Sequence, residues 1–234
     1  MLKIGCCGFP CAKEKYYKTF SVVELQNTFY TIPKLTLLEK YRASAPVNFE
    51  FTIKAPQFIT HPATSPTYRR ANIELKNPDR YGYFKPTKEV RKIWEIVLEE
   101  AETLKAQVIV FQSPASFQPT ATNIKNLNLF FNQIERKDLK LIWEPRGKWE
   151  PKLIAELCSD LNLIDCVDPF LRAPTYGKFL YLRLHGGKGY RKKYSDEELK
   201  KLIELTKGKD GYIMFNNIHM FDDAQKLNDF IGKR

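Results

Sequence analysis

Long apolar runs are missing from this 234-residue chain. Stretches such as 108–111 or 179–182 are far too short to cross a bilayer, so no membrane span is expected. The first residues, Met1-Leu2-Lys3-Ile4-Gly5, lack the apolar centre of a secretory leader, which makes the cytoplasm the expected location. Histidine is scarce. The three present, His61, His185 and His219, form no His-x-x-x-His pair. A multi-zinc phosphodiesterase centre needs more imidazoles, so no metal site is assigned and no cofactor is required. One Mg²⁺ or Mn²⁺ on Glu144 and Asp168 with waters stays open. Also missing is Gly-x-Gly-x-x-Gly after any strand, which removes the main support for an open dinucleotide-binding sheet. The five cysteines are an odd number without the spacing of a bridged framework. Cys6, Cys7, Cys11, Cys158 and Cys166 read as free structural thiols in a reducing compartment.

What is present is ample core material and a marked positive charge. Hydrophobic residues make up 43% and aromatics 13%, and the formal net charge is +11. That charge favours acidic partners: an anionic, phosphate-bearing substrate, with nucleic acid among the candidates. Strand-like runs fall at Leu2–Gly8, Val22–Tyr30, Phe49–Pro56, Gln107–Pro114, Leu139–Arg146, Leu163–Asp168, Lys178–Gly186 and Gly211–Asn217. Between them, apolar residues recur with helical period in Leu35–Arg42, Val90–Leu104, Ile124–Ile134, Lys152–Leu161, Asp196–Thr206 and Met220–Phe230. A short helix is expected near Ala12–Lys18, and only a brief connection after the sixth strand. Ser195 with Glu198 forms a capping-box signature. Eight strands alternating with helices, without a linker, predict an α/β fold: a single (β/α)₈ TIM-type barrel over 1–234, with a long loop after strand 3.

Strand alternation sends every second side chain inward. Glu24 and Gln26 oppose Val23 and Leu25. Thr52 and Lys54 oppose Phe51 and Ile53. Glu144 and Arg146 oppose Leu141 and Trp143, and Tyr181, Arg183 and His185 oppose Leu180, Leu182 and Leu184. The helix-facing side of a barrel strand must be apolar, so the polar sets are expected inside. Charges there cost several kcal/mol unless paired or hydrated. Their position near strand C-termini points to an active site at that face, the competing reading being an ion-pair network such as Glu24–Lys54 or Glu144–Arg183.

The motifs Gly5-Cys-Cys-Gly8, Val23-Glu-Leu-Gln-Asn-Thr-Phe-Tyr30, Phe51-Thr-Ile-Lys-Ala-Pro56 and Ile59-Thr-His61 occur in this order. Phe111-Gln-Ser-Pro-Ala-Ser-Phe117, Trp143-Glu-Pro-Arg146 with Trp149, Leu182-Arg-Leu-His-Gly186 and Phe215-Asn-Asn217 follow. Together they resemble the barrel proteins of domain-of-unknown-function family 72, also called YecE-like, over essentially the whole chain. The resemblance implies a TIM-type barrel and no particular reaction. Relatives carry Gly-x-Ser-Gly-Trp-like sequence where this chain has Gly5-Cys6-Cys7-Gly8-Phe9, so it implies no shared role for the thiols.

The inward set supports a concrete chemistry. Glu144 is the candidate general base, and His185 or Lys54 the acid. Arg146 and Arg183 would stabilise negative charge, with Glu24 a further carboxylate. Lys54 has imine formation as an alternative. His61, Gln112, Asp168, Asn216, Asn217 and Tyr30 are candidates for holding substrate. The long loop 57–87 interleaves Arg69, Arg70, Arg80 and Lys85 with Tyr68, Tyr81, Tyr83 and Phe84. The segment after strand seven, with Gly187, Lys188 and Tyr190, occupies the usual phosphate cradle. Lys13, Lys15 and Lys18 are expected on the same rim. Basic residues interleaved with aromatics suit a phosphate backbone with stackable bases. The first expectation is phosphodiester or nucleic-acid hydrolysis. The alternatives are a phosphosugar isomerase or lyase, and a nucleic-acid-binding module without turnover.

Overall fold

The computed structural model describes residues 2–232. Eight strands run β1 (Leu2–Cys7), β2 (Val22–Leu25), β3 (Glu50–Lys54), β4 (Val108–Gln112), β5 (Lys140–Glu144), β6 (Ile164–Val167), β7 (Phe179–Leu184) and β8 (Asp210–Phe215). Each pairs in parallel with the next, and β8 pairs with β1, so the sheet closes into a barrel in sequence order. Parallel neighbours need crossovers. These are supplied by α1 (Lys13–Thr19), α2 (Asn27–Tyr30), α3 (Leu35–Ser44), α4 (Gln57–Thr60), α5 (Lys88–Leu104), α6 (Ala121–Gln133), α7 (Pro151–Asp160), α8 (Asp196–Thr206) and α9 (Met220–Gly232). The capping box of Ser195 and Glu198 opens α8 as expected.

The hydrogen-bonded strands are mostly shorter than the strand-like runs. Arg146, Asp168, His185 and Asn216 therefore fall just past the ends of β5, β6, β7 and β8. Two expected strands also give way to helix. The run 22–30 stops at Leu25, the last residue of β2 paired with β3, and Gln26 turns into αR backbone. The Thr28 hydroxyl then reaches the carbonyls of Leu25 and Lys54, at 3.0 and 2.8 Å, and fixes the turn as α2. The run 49–56 likewise ends at Lys54, and α4 follows at once.

The excursion after β3 reaches to α5 and is a folded layer. Amides of Gly82, Tyr83 and Phe84 donate to carbonyls of Phe58, Thr60 and Ile59 at 2.9, 3.2 and 2.9 Å, which ties the returning chain to α4. Gly82 has φ +76, and a Cβ there would lie 2.1 Å from the His61 carbonyl oxygen, so glycine is needed for this approach. Between β6 and β7 no helix forms. There Asp165 accepts from both terminal nitrogens of Arg172, at 2.5 and 2.6 Å, and from Thr175.

Two apolar cores result. One lies between sheet and helices. The smaller fills the barrel with Cys7, Val22, Val108, Val110, Ile142, Cys166, Tyr181, Tyr212 and Met214. The buried Cys6, Cys7, Cys158 and Cys166 are free thiols that burial pushes upward in pKa, the behaviour of structural cysteine. Among the described residues no helix is long and apolar enough to cross a membrane.

Candidate active site

At the C-terminal ends of the strands the barrel filling changes from apolar to charged. Arg183, only 1% exposed, is the centre of this layer. Its Nη2 lies 3.0 Å from Glu24 Oε1 and its Nη1 donates to Glu144 Oε2, so one guanidinium joins carboxylates from β2 and β5. Cys7 Sγ lies 3.6 Å from Arg183 Nη2. Glu24 also accepts from the Gln26 amide and, at 2.8 Å, from Tyr181, whose oxygen is 2.9 Å from that of Thr52. The expected Glu144–Arg183 pair is present. Glu24 pairs with Arg183 rather than with Lys54.

Glu144 is the second hub. Its Oε1 accepts from Arg146 Nε at 2.8 Å and from His185 Nε2 at 2.9 Å. Burial alone would raise its pKa, but Arg183, Arg146 and the His185 bond outweigh burial and hold it well below the usual carboxylate range. A carboxylate so satisfied is better suited to a fixed anion than to the base role suggested by sequence. Burial, with Arg183 and Arg146 adding to it against the pull of Glu144, lowers His185, so its imidazole is neutral near pH 7. His185 Nε2 lies 2.9 Å from Glu144 Oε1 and 2.8 Å from Arg146 Nη2, and its Nδ1 lies 3.1 Å from Asn216 Nδ2, so the ring is held on three sides.

Lys54 differs from the two arginines. It is 5% exposed, and among the described residues no carboxylate comes within ion-pairing distance of its Nζ, which sits 4.0 Å over the Phe29 ring. Burial, reinforced by Arg183 and only partly offset by Glu24 and Glu144, lowers it to about 8. Beside it His61 is brought down to about 3, by burial first and Lys54 second, and its Nδ1 lies 2.8 Å from the Thr60 hydroxyl. The mouth thus holds a lysine without a carboxylate partner among the described residues, beside the neutral imidazole of His61. Next to Glu144 and His185 a cleft of about 360 Å³ opens, lined also by Arg146, Asp168 and Arg172. A comparable hollow of about 350 Å³ at the opposite end is lined by Lys3, Arg42 and Glu50, with Glu50 bound to Lys3 and Tyr212.

Other expected site residues are placed differently. Asp168 accepts the amides of Phe170 and His185, both at 3.0 Å, and so holds the rim. Glu144 and Asp168, the pair left open for Mg²⁺ or Mn²⁺, are thus bound to protein donors. Among the described residues no three His, Cys, Asp or Glu gather to hold a metal. The Asn217 amide donates to Lys192 O at 2.8 Å and to Asp223 Oδ2 at 2.7 Å, so it braces the 186–194 loop rather than facing substrate. Gly186 N–H is taken by the Tyr194 hydroxyl at 2.9 Å, which removes one amide from the expected cradle. Gly187, Lys188 and Tyr190 are exposed, and the Tyr190 ring meets that of His185 edge-on at 5.9 Å. Gln112, half-buried, ends β4 opposite Glu144.

The long loop turns most of its aromatics inward. Phe84 is fully buried, Tyr68 packs on Phe58, and Tyr83 packs on Phe117, so these rings are not free to stack on bases. Arg70 instead covers the Tyr30 ring at 3.7 Å, while Arg69 is exposed. Lys13 and Lys15 lie over Tyr41 of α3 and Phe221 of α9, which places them on the helical ring and off the rim. Sequence reasoning passed over Phe29, the platform under Lys54. Its only signal was its place two residues after Asn27 in an apolar run that ceases to be strand.

A family model described as "Protein of unknown function DUF72" matches residues 13–233. A DUF72 family protein from Thermotoga maritima MSB8 superimposes over 99% of each chain, with a TM-score of 0.75 and 20% identity. One from Enterococcus faecalis V583 covers 99% of this chain and 98% of its own, with a TM-score of 0.73 and 18% identity. An AP endonuclease, family 2, from Brucella melitensis covers 100% and 98%, with a TM-score of 0.57 and 11% identity. At these identities the likeness establishes the barrel fold. No curated protein matches the sequence.

Proposed function

Since the chain belongs to the DUF72 family, whose description names no reaction, we propose from the site itself that it is an enzyme acting on a small phosphate-bearing substrate at the C-terminal mouth. The observation that carries this reading is Lys54, an amine with no carboxylate partner among the described residues, within a layer where the other buried cation, Arg183, is doubly paired. Burying an ammonium unpaired costs stability. Such a group is a functional candidate because its strain serves proton transfer at neutral pH.

In this reading Arg146 holds the anionic group at the cleft, and exposed Lys188, Arg191 and Lys193 attract it. Glu144 fixes Arg146, Arg183 and His185 in place. Lys54, which closes β3 two strands away, supplies the reactive group. The compact cleft and the inward-turned aromatics of the long loop support an isomerase or lyase type of reaction on a phosphorylated sugar. The test is turnover of a panel of sugar phosphates by the wild type and by Lys54→Met. Activity lost by at least about a hundredfold in the variant supports the assignment; equal activity refutes it.

A second reading, phosphodiester or nucleic-acid hydrolysis, has its own observation in the net charge of +11. The AP endonuclease similarity is consistent with it at the level of fold. Binding to labelled single- and double-stranded oligonucleotides across a salt series separates the two. Tight binding with a steep salt slope and cleavage favours the nuclease, and its absence favours the small substrate.

A further inference from the structure

We infer that Lys54 is an imine-forming nucleophile and that the substrate class of the mouth is a phosphorylated aldehyde or ketone. This rests on the small-phosphate reading above and adds to it the reacting group, a carbonyl.

The geometry separates three requirements and meets each with a different residue. A nucleophilic amine must be anchored without a counter-ion that would hold it protonated and so tie up its lone pair. Lys54 closes β3, is buried along its stem, and rests its Nζ 4.0 Å over Phe29, with no carboxylate at pairing distance among the described residues. A phosphate needs a cation that still reaches the cleft. Arg146 does so: its side chain is 31% exposed and its Nε is pinned to Glu144. The two must also open on the same end of the barrel. Lys54 closes β3 and Arg146 follows β5, and the backbones of those strands are separated by β4 alone, two interstrand spacings or roughly 10 Å.

The remaining buried groups suit this chemistry. Arg183 is held by Glu24 and Glu144, so it stays in the layer as a fixed positive charge beside Lys54. That charge adds to burial in lowering the lysine to about 8, which leaves roughly a tenth of it as free amine at pH 7. His61 and His185 are both held neutral, so neither adds a further cation to repel the iminium.

The step is balanced as follows. The Nζ lone pair attacks the carbonyl carbon, a C–N bond forms, and the C=O π pair moves to oxygen, which takes a proton. The carbinolamine then breaks its C–O bond and releases that oxygen as water. The two hydrogens of the water come one from the amine and one from solvent, and the iminium keeps a single N–H. No electrons are transferred, and no co-reactant beyond a proton is needed.

Reductive trapping on the full-length protein tests this. The wild type is incubated with glycolaldehyde phosphate or with glycolaldehyde, treated with sodium borohydride, and mapped by peptide mass spectrometry. The expected result is one stable adduct on Lys54, formed with the phosphorylated compound at concentrations at least about tenfold lower than with glycolaldehyde. Its yield should rise between pH 7 and 9. Lys54→Arg, which keeps the charge, should lose the adduct while phosphate still raises the melting temperature. A phosphate-induced rise in melting temperature without trapping at Lys54 overturns the imine and leaves the anion site standing. Trapping at Lys54 with no preference for the phosphorylated aldehyde supports the imine and removes the phosphate reading. Adducts spread over surface lysines and unchanged in Lys54→Arg overturn the proposal.

Discussion

At the scale of single residues the site is a contrast between cations. Arg183 is paired on both sides, and removing one partner leaves a buried charge half-compensated. Glu144→Gln should therefore destabilise the fold by about 3–5 kcal/mol, read as a drop in melting temperature. The effect should carry a pH signature. The folded-state pKa of Glu144 is depressed, so its contribution is present above the ordinary carboxylate value of 4.5 and is lost as pH falls below it. The wild type and the variant should then converge in stability in acid. Lys54 has the opposite burden, since its folded-state pKa is lowered from 10.5 to about 8. The folded protein binds fewer protons than the unfolded chain between those values. Lys54→Met should accordingly be more stable than wild type at pH 7, with the difference shrinking as pH rises toward 10.5, as a pair of denaturation series would show. A function-bearing lysine is expected to cost stability in this way.

At the scale of elements, α5 and the excursion before it hold two features with measurable consequences. Glu100 lies fully buried on α5, and neither carboxylate oxygen has a hydrogen-bond partner among the described residues. Burial raises it to about 8, so the folded state keeps a proton that the unfolded chain releases near 4.5. Its stabilisation is complete below 4.5 and is lost as pH rises through 8. Glu100→Met should gain on the order of 1–3 kcal/mol at pH 8.5 and little at pH 4.5, measured by urea denaturation. Gly82→Ala should cost about 1–3 kcal/mol because of its positive φ and the His61 carbonyl, and it should disturb His61 next to Lys54. The elements also show what the sequence could reveal. The period-two alternation of Tyr181, Arg183 and His185 was readable, because a strand in a closed barrel has only two faces. The helices α2 and α4 were not, since Asn27–Tyr30 and Gln57–Thr60 continue runs of strand-like composition and turn only where pairing stops. Glu100 was equally hidden, because its place among Val97, Ala101 and Leu104 on the buried face depends on how α5 seats on the barrel. Asn217 looked like a ligand for substrate because its partners, the Lys192 carbonyl 25 residues before it and Asp223 six residues after it, meet it only once the loop and α9 are packed.

At the scale of the whole molecule, closure brings charges from β2, β3, β5 and β7 to one end, while the opposite end keeps a paired Glu50. The excess of cations on the exposed stretch 187–193 supplies long-range attraction rather than chemistry. Arg191→Glu with Lys193→Glu should weaken phosphate binding at low salt, lose that effect at high salt, and leave the melting temperature unchanged. In the proposed function the mouth holds a small phosphate-bearing molecule through Arg146. Calorimetric titration of the wild type and of Arg146→Gln with glycerol 3-phosphate, which has no carbonyl to react, tests it most directly. Saturable one-site binding is expected, weaker by at least about tenfold in the variant. Equal affinity in the two proteins, or no binding by either, would contradict it.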